Sequence, residues 1–350
     1  MSAKVTLSDI AKELGLSIPT VHRSINNIGR VSEKTRQLVL RKASEMGYRT
    51  NMAASMLSSK KQTDVAIICP NTFFYEDILA GFRNFASQFP SYGINVKYIF
   101  SRAFDAVEQT RILEELLKSD THYSVVAIPA AHPVILNPLI SRLSEAGTLV
   151  LTFDNDAPTS DRKLFIGPNG YVSGQLCAQL YSSILHKGAR VAILPSFVTA
   201  IGLKERVNGF SSGCESIGKL NSIGVFEYND YETEAYYVCR QIIETMKPDA
   251  IYTNSMMGSL GCARAIQETN NSKNIFMIGY DFNDQIKSYI ENDIIYGSLY
   301  QQPFAQGAKL AESIMQFCTG IFSPLPQNTN INTILILKSN THEFTTSLSK

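Results

Sequence analysis

From residue 65 to about residue 319 the chain alternates short apolar runs with longer helical ones, and this rhythm limits the fold more than any other feature. Strand patterns are predicted at Val65–Cys69, Asn95–Phe100, Val125–Pro129, Leu149–Phe153, Arg190–Leu194, Ser222–Phe226, Ala250–Thr253, Ile275–Tyr280 and Tyr296–Leu299. Helix patterns fall between them, among them Val107–Lys118, Gly170–His186, Glu232–Met246 and Phe304–Cys318. Strands that are apolar throughout are buried on both faces. With helices between them, they predict parallel sheets covered on both sides. About 290 residues exceed what one hydrophobic core usually spans, so two α/β lobes are expected.

The first sixty residues do not share that rhythm. Leu7, Ile10, Ala11 and Leu14 make an amphipathic helical stripe, with Thr6 and Asp9 spaced as a capping box. Gly15 ends that helix. Ser17 can cap a second helix, which tolerates Pro19 in its first turn and runs to about Asn26. Ser32 can cap a third, ending at Met46 before Gly47. Two helices joined by a glycine turn, with a third behind them, are a helix-turn-helix arrangement. The stretch Asn51–Ser59 can form a helix but is too short to be stable alone.

Charge follows the same division. The whole chain carries a formal +1, which alone would argue against a nucleic-acid partner. Residues 1–62 hold eleven Lys/Arg against four Asp/Glu, a net +7, and the remaining 288 residues hold 21 against 27, a net −6. A basic module joined to an acidic body suggests nucleic-acid binding by the module. In a major-groove docking, Ile18, Pro19, Thr20, His22 and Arg23 would face base edges, with Arg23 suited to a guanine. Ser17, Thr20 and Asn26 would hold phosphates, which set register without reading sequence.

Other classes find little support. Cys69, Cys177, Cys214, Cys239, Cys262 and Cys318 are scattered without metal or redox spacing and read as reduced packing residues. The five histidines show no ligand spacing. There is no nucleophile elbow, dinucleotide fingerprint or P-loop, so neither an enzyme nor a cofactor is expected. No apolar signal core or membrane-length stretch is present, so a cytoplasmic protein away from membranes is expected.

In α/β folds, ligands bind beyond the carboxyl ends of the strands. Here those positions hold Asn71–Phe74, Asp154–Asn155–Asp156, Asn254–Ser255, Asp281–Phe282 and Gln301–Gln302, while Arg206 and Tyr231 lie at or near helix starts. Aromatic faces, carboxylates, amides and one arginine suit a polyhydroxylated ligand.

The N-terminal run carries T-L-S-D-I-A, G-x-S-x-x-T-V-x-R-x-I-N, V-S-x-x-T-R, the Gly47–Tyr48 pair and A-x-x-L at Ala54–Leu57. It closely resembles the DNA-binding headpiece and hinge of the lac-repressor/galactose-repressor (LacI/GalR) family of bacterial regulators. The resemblance implies an all-α helix-turn-helix headpiece over 1–50 and a hinge helix over 51–61. It implies DNA contacts from Thr6, Ser17, Ile18, Pro19, Thr20, His22, Arg23, Asn26, Ala54 and Leu57, with Leu57 as a minor-groove wedge. The body's N-T-F-F, T-F-D-N-D-A-P, K-E-R-V-N-G-F, I-G-Y-D and Q-Q-P-x-x-Q-G-A resemble the periplasmic sugar-binding-protein fold carried by that family.

That second resemblance implies an α/β two-lobed type I domain over 62–350. Its N-lobe is expected at about 62–165 plus 300–325, and its C-lobe at about 166–297 plus the C-terminal segment. Phe73, Phe74, Asp154, Asn155, Arg206, Tyr231, Ser255, Asp281 and Gln301 are nominated for the effector pocket. The expected protein is a homodimeric repressor that binds a palindromic operator in double-stranded DNA and answers to a sugar-like effector. A corepressor-type regulator of a purine or phosphorylated sugar, and a sugar transport or chemoreceptor component, are the alternatives.

Overall fold

A computed structural model describes residues 5–26, 31–46, 62–196, 199–271, 273–319 and 326–344. The hinge stretch 51–61 with Ala54 and Leu57, the Gly47–Tyr48 pair and the side chain of Asn26 lie outside this description. The chain divides into two units, Met1–Lys60 and Lys61–Lys350.

In the first unit, helices run Leu7–Leu14, Ile18–Asn26 and Glu33–Glu45. The Thr6 hydroxyl accepts from the Asp9 N–H at 3.3 Å, and the Asp9 carboxylate accepts from the Thr6 N–H at 2.8 Å, so both bonds of the capping box form. Gly15 ends the helix at φ 64°, a left-handed conformation that glycine adopts without steric cost. Ser17 caps the second helix by accepting the Thr20 N–H, and Ser32 does the same for Thr35 in the third. Ile10, Ala11, Val21, Val39 and Ala43 form the shared core.

The second unit has two lobes. The first lobe is a six-stranded sheet in the order β11–β5–β4–β3–β1–β2, all neighbours parallel. Its strands are β1 (Thr63–Pro70), β2 (Ile94–Ser101), β3 (Tyr123–Ile128), β4 (Leu149–Phe153), β5 (Leu164–Gly167) and β11 (Asn328–Asn330). Separate apolar clusters cover its two faces. In the second lobe β6 (Arg190–Leu194) lies between β7 (Asn221–Val225) and β8 (Ala250–Thr253), again parallel. Beside them, β10 (Gly297–Tyr300) pairs with β9 (Ile278–Tyr280) in parallel and with β12 (Ile334–Leu337) in antiparallel. A bridge from Ala250 to Phe276 joins the two groups.

The chain passes between lobes near 167–170, 300–303 and 330–334. The C-terminal segment, expected wholly in the second lobe, therefore divides: β11 extends the first sheet and β12 the second. A buried ion pair fixes this return. Arg162 bonds Asp156 at 2.8 and 2.6 Å and also reaches the Gln327 carbonyl at 2.6 Å and the Asn328 side chain at 2.9 Å. Asp156 is thus the structural partner of Arg162.

Removing one partner of a buried pair strands the other charge, which typically costs about 3–5 kcal/mol, whereas replacing both with apolar residues is often close to neutral. Urea unfolding should therefore show Asp156→Ala to be destabilised by that order, with Asp156→Leu/Arg162→Met recovering most of the loss.

Candidate functional site

The two lobes build the same corner. β4 runs into Asp154 and β9 into Asp281, and both aspartates take left-handed backbone, φ 58° and 65°. Each donates its N–H to the neighbouring strand: Asp154 to the Ile166 carbonyl and Asp281 to the Leu299 carbonyl, both at 2.9 Å. Aspartate tolerates this conformation better than most residues with a Cβ. The turn sends each carboxylate out at the carboxyl end of its sheet.

Arg206 enters from the helix Ile201–Ile217 and is 5% exposed. It donates to the Asn254 carbonyl at 2.8 Å and to the Gln301 side-chain oxygen. Its guanidinium lies 4.7 Å from the centre of the Tyr280 ring. Gln301 donates its amide to Asp281 at 2.6 Å. Burial pushes the Asp281 carboxyl up to about 6, against the pull of Arg206 and Gln301, with Asp154 and Asp230 adding to the rise. Asn254 is consumed structurally: its side chain accepts the Ser196 N–H and donates to the Leu203 carbonyl.

In the first lobe the Tyr75 hydroxyl donates to Asp154 at 2.6 Å, and the Asn155 amide donates to the same carboxylate oxygen at 2.7 Å. Burial raises Asp154 above the ordinary carboxylate range, opposed first by Tyr75 and then by Arg206. The lobes touch beside this group. Thr199 donates to the Ala131 carbonyl at 2.9 Å, and a Cβ on Gly202 would lie 3.4 Å from Asn155 Oδ1.

Ser255 caps the helix Met256–Glu268 through the Gly258 N–H and donates to Asp230 at 2.6 Å, with the Tyr228 hydroxyl 2.8 Å away. Burial raises Asp230, and Ser255 opposes the rise most strongly. The structure thus gathers Asp154, Asn155, Arg206, Ser255, Asp281 and Gln301 from the nominated set and adds Tyr75, Tyr228 and Asp230. Phe73 and Phe74 are half-buried at the start of the helix Phe73–Ala86, and Phe74 packs on the first-lobe core. Tyr231 is 65% exposed and is not drawn into the cluster. At the extended helix start, side chains alternate sides, so Asp230 turns in and Tyr231 turns out.

A cavity of about 440 Å³ lies away from this cleft, lined by residues such as Phe276, Met277, Ile294 and Tyr296 at the opposite ends of β9 and β10. Its ligand chemistry is less defined than that of the acid cluster, so the cleft is the better candidate. In the headpiece Ser17, Ile18, Pro19, His22 and Arg23 are exposed and Thr20 is half-buried. Thr6 is exposed, with its hydroxyl engaged by Asp9. No helix among the described residues is long and apolar enough to cross a membrane.

These features define a two-lobed α/β binding module in one chain with a helix-turn-helix unit. Residues 65–321 match the family described as Periplasmic binding protein domain, and residues 6–51 match Bacterial regulatory proteins, lacI family. The chain belongs to the periplasmic-binding-protein domain family and bears the helix-turn-helix segment of lacI-family regulators. It is 45% identical over 76 residues to the HTH-type transcriptional regulator DegA of Bacillus subtilis (strain 168), covering 21% of this chain and 23% of that protein. The match therefore spans about a quarter of that relative's length.

Two solved structures are similar in fold. The sugar-binding protein of a Bacillus halodurans sugar ABC transporter has TM-score 0.73 at 21% identity, covering 81% of this chain and all of that one. A Burkholderia graminis solute-binding protein in complex with D-arabinose has TM-score 0.75 at 20% identity, covering 82% and 99%.

The raised Asp281 makes stability depend on pH. Unfolded, this carboxyl titrates near 3.8; folded, near 6. As pH rises between those values the unfolded state loses its proton first, so the folded state is increasingly penalised. The penalty is full above 6 and absent below about 4. Asp281→Asn should stabilise the fold by on the order of 3 kcal/mol at pH 7.5, read as a raised melting temperature, and give no gain at pH 3.5. An equal gain at both pH values would contradict this assignment.

Proposed function

We propose that the chain is a DNA-binding transcriptional regulator, a repressor controlled by a small sugar-like effector held between its two lobes. The observation that carries this reading is the pairing, in one chain, of a lacI-family headpiece with a cleft of Asp154, Asp281, Asn155 and Arg206 at the strand ends. The exposed Ile18, Pro19, His22 and Arg23 suit major-groove contact, with Arg23 available to a guanine edge. Ser17, Thr20 and Asn26 are assigned to the phosphates, and Thr6 to a further DNA contact. Leu57 in the hinge is assigned to the minor groove as the wedge, and Ala54 to a DNA contact beside it.

A homodimer would present two headpieces to the half-sites of a palindromic operator, because a two-fold protein meets a pseudo-two-fold site. Effector binding would close the lobes and change which hinge conformation DNA can select. Regulation then requires that effector affinity differ between DNA-competent and DNA-incompetent states. The protein would act in the bacterial cytoplasm, on the nucleoid.

Within the cleft, three carboxylates are all drawn by one guanidinium already bonded to Asn254 and Gln301. Carboxylate oxygens accept hydrogen bonds from hydroxyls and repel a phosphate. This favours an uncharged polyhydroxylated effector over a phosphorylated corepressor. The basic headpiece favours a regulator over a transport component.

A thermal-shift screen provides the direct test, since a ligand of the folded state raises its apparent stability. At least one neutral monosaccharide should raise the melting temperature while sugar phosphates leave it unchanged; stabilisation by a sugar phosphate alone would reverse the assignment. On DNA, Leu57→Ala should weaken binding to a selected operator while leaving the salt-dependent nonspecific component largely intact, as read by anisotropy across a salt series. Unchanged operator affinity would remove the wedge role.

A further inference from the structure

Tyr75 is buried in the cleft wall, yet neither its position relative to the strand ends nor a shared motif singles it out. Its ring is 5% exposed and held edge-on by two neighbours, Phe74 at 5.4 Å and 88° and Phe153 at 6.4 Å and 76°. A phenylalanine would fill that space and avoid burying a hydroxyl, so packing alone does not explain the phenol. The hydroxyl has two partners. It donates to Asp154 Oδ2 at 2.6 Å and accepts from the Asn155 amide nitrogen at 3.3 Å, which itself reaches Asp154 Oδ2 at 2.7 Å.

This triangle fixes two rotors. A carboxylate on a single bond turns broadly unless its oxygens are distinguished. Here Oδ2 takes both donors, and among the described residues Oδ1 takes none. The Asn155 amide is fixed as well: its nitrogen faces Tyr75 and its oxygen faces Gly202 of the opposite lobe. The backbone cannot relax in compensation, because the left-handed Asp154 is held through its own N–H to Ile166.

We propose that Tyr75 is a positioning residue of the effector site, whose hydroxyl locks Asp154 so that Oδ1 is presented to a ligand hydroxyl and aims the Asn155 oxygen at the second lobe. The proposal rests on the reading of the cleft as the effector site. The hydroxyl also favours the ionised form of Asp154, against burial, and so keeps it an acceptor.

The test uses the full chain with ¹³C-labelled aspartate, the Asp154 resonance being assigned by its loss in Asp154→Asn. Tyr75→Phe should move the Asp154 titration midpoint to higher pH. Site-specific Tyr75→3-fluorotyrosine, a stronger donor of nearly the same shape, should move it to lower pH. The second variant keeps the test decisive if the first folds poorly. A midpoint that follows neither substitution overturns the proposal, because a purely structural tyrosine would leave it in place.

The same proteins are then titrated with D-arabinose, D-ribose and D-galactose by calorimetry. For a sugar that binds, Tyr75→Phe should weaken affinity about tenfold. A moved midpoint with no sugar bound by any protein supports Tyr75 as the positioning residue and counts against the sugar reading. Sugar binding that Tyr75→Phe leaves intact overturns the proposal and spares that reading.

Discussion

One buried guanidinium holds the cleft together. Arg206 is the cation that acts on Asp154, Asp230 and Asp281, and burial drives all three acids toward neutrality. A carboxylate in low dielectric keeps its charge only with a countercharge or donated hydrogen bonds. Arg206 supplies the first, while Tyr75, Ser255 and Gln301 supply the second. It can do so because it is fixed by the Asn254 carbonyl, by Gln301 and by the Tyr280 face. Arg162 solves a simpler problem in the first lobe, where a single acid, Asp156, neutralises it and the pair anchors the returning strand.

The bonds that hold Arg206 also run through a lobe crossing. Gln301 lies where the chain leaves β10 for the helix Pro303–Thr319. That helix packs against Phe73–Ala86 so closely that a Cβ on Gly81 would lie 1.9 Å from the Phe304 carbonyl oxygen, and one on Gly307 would lie 1.8 Å from that of Ile78. The second helix begins with Phe73, Phe74 and Tyr75, and Tyr75 bonds Asp154, which feels Arg206 in turn. Bonds and packing thus link the second-lobe arginine to the crossing and the crossing to the first lobe, and the electrostatic pull of Arg206 on Asp154 spans the cleft.

The sequence made some of this legible and hid the rest for definable reasons. Strand ends are where an α/β fold puts ligands, so Asp154, Asp281 and Gln301 could be found from alternating patterns alone. Arg206 could be named as the one arginine near a helix start, and the family motif K-E-R-V-N-G-F strengthened it, although it sits one turn inside the helix Ile201–Ile217. Tyr75 carries no such signal, because the N-T-F-F motif stops one residue earlier and a buried tyrosine usually reads as core. Asp230 and Tyr231 adjoin, and only the alternation of an extended backbone decides which turns inward. Asp156 looked like a companion of Asp154, but a turn brings Arg162 back onto it from six residues away, and sequence spacing does not report that closure.

The repeated corner bears on what the cleft can accept. Each lobe presents an aspartate that is fixed in left-handed backbone by a bond to the adjacent strand and has one oxygen held by protein donors: Asp154 by Tyr75 and Asn155, Asp281 by Gln301. The other oxygen of each is uncommitted among the described residues. A ligand held from both sides must then offer donors on opposite edges, as a ring or chain of hydroxyls does. It would also have to fit between the two acids without adding negative charge, since Asp154 already raises the cost of ionising Asp281. An uncharged polyol meets both conditions, and a ligand with one donor edge and one anionic edge meets neither. On the proposed function, the rigid pair of acceptors, more than the volume between the lobes, would set the class of molecule that can draw them closed.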